Sequence, residues 1–209
     1  MNEKNFSPLV SRLQKCIGER GHLFIISAPS GAGKTTLCKA VLHRLNNLLY
    51  SVSYTTRKPR PGEQDGVDYH FIPKDEFIKK INNGKWAEWA EVYGNFYGTS
   101  AEFLEKGLSA GRDILLDIDV QGTIQILERY PESVPIFVVP PSLQELKSRL
   151  QSRGTDSEQE IERRLVSAKE EMFKKDMYQH VVCNEHLSNA VEELITIIKK
   201  YRSGGNWIE

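Results

Sequence analysis

Lys34 follows Gly31 and Gly33 and precedes Thr35 and Thr36, in the run Ser27-Ala28-Pro29-Ser30-Gly31-Ala32-Gly33-Lys34-Thr35-Thr36. The two glycines let the backbone turn its N–H groups inward, where they and a helix N-terminus can hold phosphate oxygens. Lys34 adds a point positive charge near the outer phosphates, and Thr35 offers a hydroxyl to a magnesium ion. One position departs from the usual pattern: a glycine is expected six residues before the lysine, and Ala28 stands there. Alanine suffices wherever φ stays negative. The bland alternative is a glycine-rich turn with an exposed lysine. The flanks oppose it: an apolar run, Leu23 to Ile26, reads as a buried strand, and Leu37, Ala40, Val41 and Leu45 recur at helical spacing. Strand, turn and helix is the context a phosphate loop needs, so Ala28 to Thr36 are candidate ligands of ATP.

A carboxylate that could take part sits at Asp117, which ends the apolar run Ile114-Leu115-Leu116. A strand-terminal aspartate is often a mere turn residue; paired with a phosphate loop it can orient Mg²⁺ or its waters. The candidate magnesium ligands are Thr35 and Asp117, partly through water.

The elements that must position these residues follow from periodicity. Strands at Leu23–Ile26, Ile114–Asp117, Val134–Val139 and Val181–Cys183 alternate with helices opening near Lys34, Glu102, Gln121, Ser142 and Ala190. That alternation predicts an α/β fold with a mainly parallel five-stranded sheet covered on both faces. Ser142 and Glu145 form a capping-box pattern, and Ile161, Leu165, Ala168 and Met172 mark one face of a longer helix. Between residues about 52 and 98 the rhythm changes. Ser51 to Thr55 is extended, Arg57 to Gly62 is an irregular loop broken by two prolines, and Val67 to Ile72 is a strand. Lys74 to Asn82 is a short helix, and Trp86–Tyr93 and Asn95–Tyr97 are two strands. This aromatic block reads as an insertion. A short helix is expected over Leu9, Val10, Leu13 and Ile17.

At 209 residues the chain suits one domain, 1–209, with inserted parts. Lys and Arg total 28, as do Asp and Glu, so zero net charge argues against a nucleic-acid polymer or an anionic membrane as partner. Cys16, Cys38 and Cys183 are far apart and look like free thiols of a reducing compartment. No apolar run approaches transmembrane length and no signal peptide is evident, so a cytoplasmic location is expected.

Several runs taken together resemble the guanylate kinases from Gly21 onward. They are the phosphate loop, Ser53-Tyr54-Thr55-Thr56-Arg57-Lys58-Pro59-Arg60-Pro61-Gly62-Glu63, Gly66-Val67-Asp68-Tyr69, Glu88-Trp89-Ala90, Gly94 to Thr99 and Asp117 to Gly122. The resemblance implies Mg²⁺-dependent phosphoryl transfer from ATP to GMP or dGMP within purine nucleotide metabolism, by a monomer or small homo-oligomer. It implies a core of residues 21–51, 101–141 and 166–209, a GMP-binding part near 52–98, a lid near 142–165 and an N-terminal extension, 1–20. GMP would be held by Ser53, Arg57, Arg60, Tyr69, Glu88, Tyr97, Thr99 and Asp119, and catalysis supported by Lys34, Arg60, Arg153 and Arg164. Arg149 is a helper candidate and Arg163 a surface charge.

The residue types suit the task. Guanine presents two adjacent donors, N1–H and the N2 amino group, which one carboxylate accepts together, while hydroxyls can donate to O6. Two other classes stay open. An interaction module of this fold would have no use for Lys34 and its glycines. A kinase acting on a ribose phosphate would have no use for Glu88.

Overall fold

The computed structural model describes residues 20–92, 94–152 and 157–203. The helix expected over Leu9–Ile17, the end of a strand at Tyr93 and the arginine at 153 lie outside them. Strand β1 (Leu23–Ser27) is buried at all five positions. Its alternating side chains feed two cores. Phe24 and Ile26 face a cluster with Leu37, Val41, Leu194 and Ile198, and Leu23 and Ile25 face one with Leu104, Leu108 and Ile126. Burial on both faces explains the unbroken apolar run, each large side chain contributing about 1.5–3 kcal/mol of transfer free energy.

β1 lies at the centre of a five-stranded, all-parallel sheet. The order is β2 (Leu48–Tyr50), β7 (Asp113–Asp117), β1, β8 (Val134–Val139) and β9 (His180–Cys183). Helix α1 (Lys34–Arg44) follows β1, α3 (Ala101–Ser109) precedes β7, and α4 (Val120–Arg129) joins β7 to β8. Then come α5 (Leu143–Ser152), α6 (Glu158–Phe173) and the C-terminal α7 (Leu187–Arg202). Because the chain lays β2 and β7 on one side of β1 and β8 and β9 on the other, the strand order reverses at β1, and the crevice beyond its C-terminal end is where such sheets bind ligands.

The fifth core strand, to which the sequence reading assigned no residues, is Leu48–Tyr50, and Ser51 follows it. The turn into it passes through Asn47 at φ 60, the only left-handed residue other than glycine among those described.

The insertion forms its own mixed sheet, in the order β4 (His70–Phe71), β3 (Tyr54–Thr55), β6 (Asn95–Ser100) and β5 (Trp86–Val92). Helix α2 (Lys74–Asn82) packs on it through Phe77, which stacks on Trp86 and Phe96 at 4.3 and 5.4 Å between ring centroids. The strand expected over Val67–Ile72 shrinks to His70–Phe71. Gly66 at φ 75 turns the chain, and Asp68 accepts from the backbone of Gln64 at 2.9 Å, so the segment before Tyr69 is a turn with Val67 exposed. Ser142 does cap α5, accepting from Glu145 N at 3.0 Å, but the Glu145 carboxylate turns to Arg149 at 2.9 Å and leaves the second half of the capping box unmade.

Candidate active site

The loop after β1 turns at Gly31 (φ 98) and Gly33 (φ 91), and Gly33 caps α1. Both glycines are required by conformation, and a Cβ at Gly33 would also lie 2.6 Å from Asn184 Nδ2. Ala28 is buried with no positive φ, which is why alanine serves there. Ala32 contributes backbone only: its side chain is fully buried, its N–H donates to Pro29 O at 3.0 Å and its carbonyl accepts from Asn184 at 2.7 Å. The first-turn amides of α1 have no intrahelical acceptors and carry the positive end of the helix dipole.

Parallel register sets Asp117 opposite Ile26, at the mouth of the same loop. Lys34 Nζ lies 2.6 Å from Asp117 Oδ1 and donates to Ile118 O at 3.0 Å. Burial disfavours the Lys34 ammonium, and the Asp117 carboxylate outweighs it, holding the amine above its ordinary pKa. The lysine is thus held charged, with Asp117 as its partner.

The second half of the site comes from the β5–β6 ladder. Glu88 and Thr99 are cross-strand partners beside a register shift between Trp86 and Glu88 that re-aims the strand. Thr99, fully buried, donates to Glu88 Oε1 at 2.6 Å. Burial pushes the Glu88 carboxyl up to about 7; the Thr99 hydroxyl opposes this, and Asp119 adds to it. Helix α4 crowds the other oxygen: a Cβ at Gly122 would sit 2.9 Å from Glu88 Oε2. Asp119 caps α4, Oδ1 accepting from Gly122 N at 2.8 Å, which leaves Oδ2 for a ligand.

A cavity of about 470 Å³ joins the two halves. Ala28–Gly31, Gly33–Thr36, Asp117 and Asp119 line it together with Ser53, Tyr69, Glu88 and Tyr97. Thr99 stands behind Glu88. Arg57 lies beside this cavity, its guanidinium 5.4 Å from the Tyr69 ring centre, and Tyr69 and Tyr97 pack edge to face at 5.9 Å. Arg60 is exposed nearby on the same loop. Arg164, on α6, is outside the lining, 4.0 Å from Glu160. Arg149 joins Glu145 and the carbonyl of Asn184 at 3.0 Å. Arg163 is exposed beside Glu160, as a surface charge should be.

Three residues had no role in the sequence reading. Asn184 holds the phosphate loop from a position 152 residues away. Glu171 places a half-buried carboxylate in the lining, its pKa raised by burial. Glu63 binds Arg57 through both carboxylate oxygens.

Thr35 and Asp117 present only oxygen donors to the cavity, which suits a hard cation. No cluster of three acidic, histidine or cysteine ligands occurs among the described residues. The donors present fit a Mg²⁺ held mainly by nucleotide oxygens and water.

A phosphate loop at the switch point of a parallel sheet, facing a carboxylate on an inserted sheet across one cavity, defines a phosphate-loop kinase with a second nucleotide pocket. The comparisons give the family. A family model described as guanylate kinase matches residues 20–201, and the chain belongs to that family. It is 51% identical over 178 residues to a guanylate kinase of Geobacter metallireducens, covering 85% of this chain and 88% of the relative. It is 45% identical over 184 residues to one of Thermotoga maritima, covering 88% and 89%. A crystal structure of guanylate kinase from Anaplasma phagocytophilum superposes with a TM-score of 0.74 at 34% identity, covering 88% of this chain and 87% of that one. No helix among the described residues is long and apolar enough to cross a membrane.

Proposed function

We propose that this chain transfers the γ-phosphoryl group of ATP to the phosphate of GMP, giving ADP and GDP, and that dGMP is also an acceptor. The observation that carries the reading is the buried Glu88–Thr99 pair at the far end of the cavity that begins at Lys34. A carboxylate there accepts from guanine N1–H and N2–H together, with Ser53 and Thr99 as hydroxyl partners and Asp119 Oδ2 alongside. Adenine offers no such pair of donors. Arg57, Arg60, Tyr69 and Tyr97 hold the acceptor phosphate, and residues 52–98 form the GMP-binding part.

The phosphate loop, Ala28 to Thr36, holds ATP. Lys34 leaves Asp117 to meet the outer phosphates, and Thr35 and Asp117 would hold Mg²⁺, partly through water. The metal when bound neutralises phosphate charge. No protein base is needed, because the GMP phosphate is already ionised and is itself the nucleophile. Catalysis is positioning and charge stabilisation by Lys34, Arg60, Arg153 and Arg164, the last two brought in by a lid near 142–165 that excludes water. One helix of that lid, α5, rests on the loop: a Cβ at Gly31 would meet Leu146 and Leu150 at 2.9 Å. A cytoplasmic monomer or small homo-oligomer serving purine nucleotide metabolism fits this chemistry.

The test is an ADP-release assay with and without Mg²⁺ over GMP, dGMP, AMP, UMP and ribose 5-phosphate. Turnover confined to the two guanine nucleotides and lost on chelation is expected. Preference for ribose 5-phosphate or AMP, or no turnover at all, would defeat the reading.

A further inference from the structure

In the loop after β3, Arg60-Pro61-Gly62-Glu63 closes on itself: Glu63 N donates to Arg60 O at 3.0 Å, and Gly62 has φ 90. Proline then glycine of positive φ is the signature of a type II turn. The Glu63 carboxylate does not remain in solvent. Oε1 accepts from Arg57 Nη2 at 2.8 Å and Oε2 from Arg57 Nη1 at 3.0 Å, a fork-to-fork pair. Oε2 also accepts from the backbone N–H of Arg60 at 2.7 Å. Arg57 Nη1 is further fixed by Lys58 O at 2.8 Å. Both members of the pair are less than one-fifth exposed, unlike the solvated ion pairs that contribute little. The Arg57 hydrogen bonds hold the Glu63 carboxyl below its ordinary range.

These contacts engage three of the five guanidinium N–H donors of Arg57. The remaining edge is left to the Tyr97 hydroxyl, which also bonds this group, and to a ligand. Arg60 has its backbone fixed, while no hydrogen bond or ion pair holds its side chain among the described residues. One arginine is locked and the other is presented.

We infer that Glu63 is a positioning residue: its carboxylate preassembles Arg57 and Arg60 into the clamp for the acceptor's phosphate monoester. This rests on the GMP-kinase reading above. Without Glu63, a bound phosphate would have to order two long side chains and a turn by itself, and binding weakens by the ordering it must then supply. The inference therefore places the effect on acceptor binding through its phosphate, and leaves the base pocket and the ATP loop alone.

The experiment compares wild type, Glu63→Ala and Glu63→Gln in steady-state turnover, with guanosine as a phosphate-free competitor and a thermal melt of each protein. For Glu63→Ala the KM for GMP should rise about tenfold, with smaller changes in kcat, in KM for ATP and in the Ki of guanosine. Glu63→Gln keeps one acceptor oxygen for the turn and should fall between the two. An unchanged KM for GMP overturns the inference. A lowered KM does as well, since Glu63 would then be competing with the phosphate. So does a matched loss for GMP, guanosine and ATP with a lower melt, which makes Glu63 a loop-folding residue. Wild-type protein without GMP turnover is a different result: it removes the parent reading, and this inference with it.

Discussion

Lys34 and Asp117 form an ion pair at 2.6 Å across the mouth of the phosphate loop, in side chains only 21% and 11% exposed. The pair joins a loop lysine to a strand end 83 positions away because β1 and β7 are in parallel register. It has two consequences, one for stability and one for turnover.

Lys34→Ala should lower the melting temperature as well as stop the reaction. Position in the sequence suggests a lysine that could be removed without cost to the fold, but the ion pair opposes this. Its removal strands a largely buried carboxylate, which for a partly exposed pair costs about 1–3 kcal/mol. Turnover should fall by roughly 10²–10³-fold or more, the size expected for one transition-state charge contact. Asp117→Asn in the same background should recover much of the melting temperature and none of the activity. A melt unchanged by Lys34→Ala would show that the ion pair contributes nothing, and wild-type turnover would take Lys34 out of the mechanism.

How much of this was legible depended on how local the cause was. The phosphate loop is a strand, a turn and a helix in one continuous run, so Gly31, Gly33 and Lys34 could be read directly. Lys74–Asn82 was equally plain, with Phe77 and Ile81 on one face. The edge strand at Leu48–Tyr50 was not, because one buried and two half-buried residues give no period. Val67–Ile72 looked extended because β-branched and aromatic residues dominate it, and local Asp–backbone bonds and Gly66 prevailed. The acceptor pocket was named by family resemblance, while its assembly by a strand register and a bulge was invisible. Asn184 could not be found at all. Its partner, the carbonyl of Ala32, exists only once β9 lies beside β8 in the folded sheet.

Gly122→Ala should impair GMP use selectively. The position is helical and without positive φ, so alanine favours the helix by about 1 kcal/mol. The new methyl would meet Glu88 Oε2 at 2.9 Å and must displace the carboxylate. We expect an unchanged or higher melting temperature, kcat/KM for GMP lower by about tenfold, equivalent to roughly 1.4 kcal/mol, and KM for ATP unaltered. Equal losses for both substrates would mean that Gly122 matters to the fold rather than to Glu88.

Arg164→Ala tests the lid. If this arginine meets charge mainly in the closed, reacting complex, kcat falls and KM for GMP hardly moves. It approaches Glu160 on the same helix at 4.0 Å, a part-exposed pair of the kind that contributes little to stability. Loss of GMP affinity at constant kcat would make it a ground-state ligand.

The last prediction concerns the proton on Glu88. Burial raises this carboxyl from 4.5 to about 7, so below neutrality the free protein carries it protonated. Guanine needs it ionised, because both groups it faces are donors. For wild type, kcat/KM for GMP should therefore climb about tenfold per pH unit between about 6 and 7, more steeply below 6 where the GMP phosphate also titrates, and level off above 7, while kcat, which reports the guanine-bound state, changes less. Glu88→Gln has nothing to titrate at this position. Its profile should keep only the ionisation of the GMP phosphate, near 6, at a level on the order of 10- to 150-fold lower. The stability effect has the opposite sign. A folded pKa raised above the unfolded value means that the carboxyl's contribution is fully present below about 4.5 and is lost as pH rises to about 7. That loss is at most about 3 kcal/mol. Ligand-free Glu88→Gln should then melt several degrees above wild type at pH 8, and the gap should close toward pH 5. A merely structural carboxylate predicts the reverse, a variant that melts lower at pH 8 and loses every acceptor equally. Parallel pH profiles for the two proteins would remove the titrating carboxylate from base recognition.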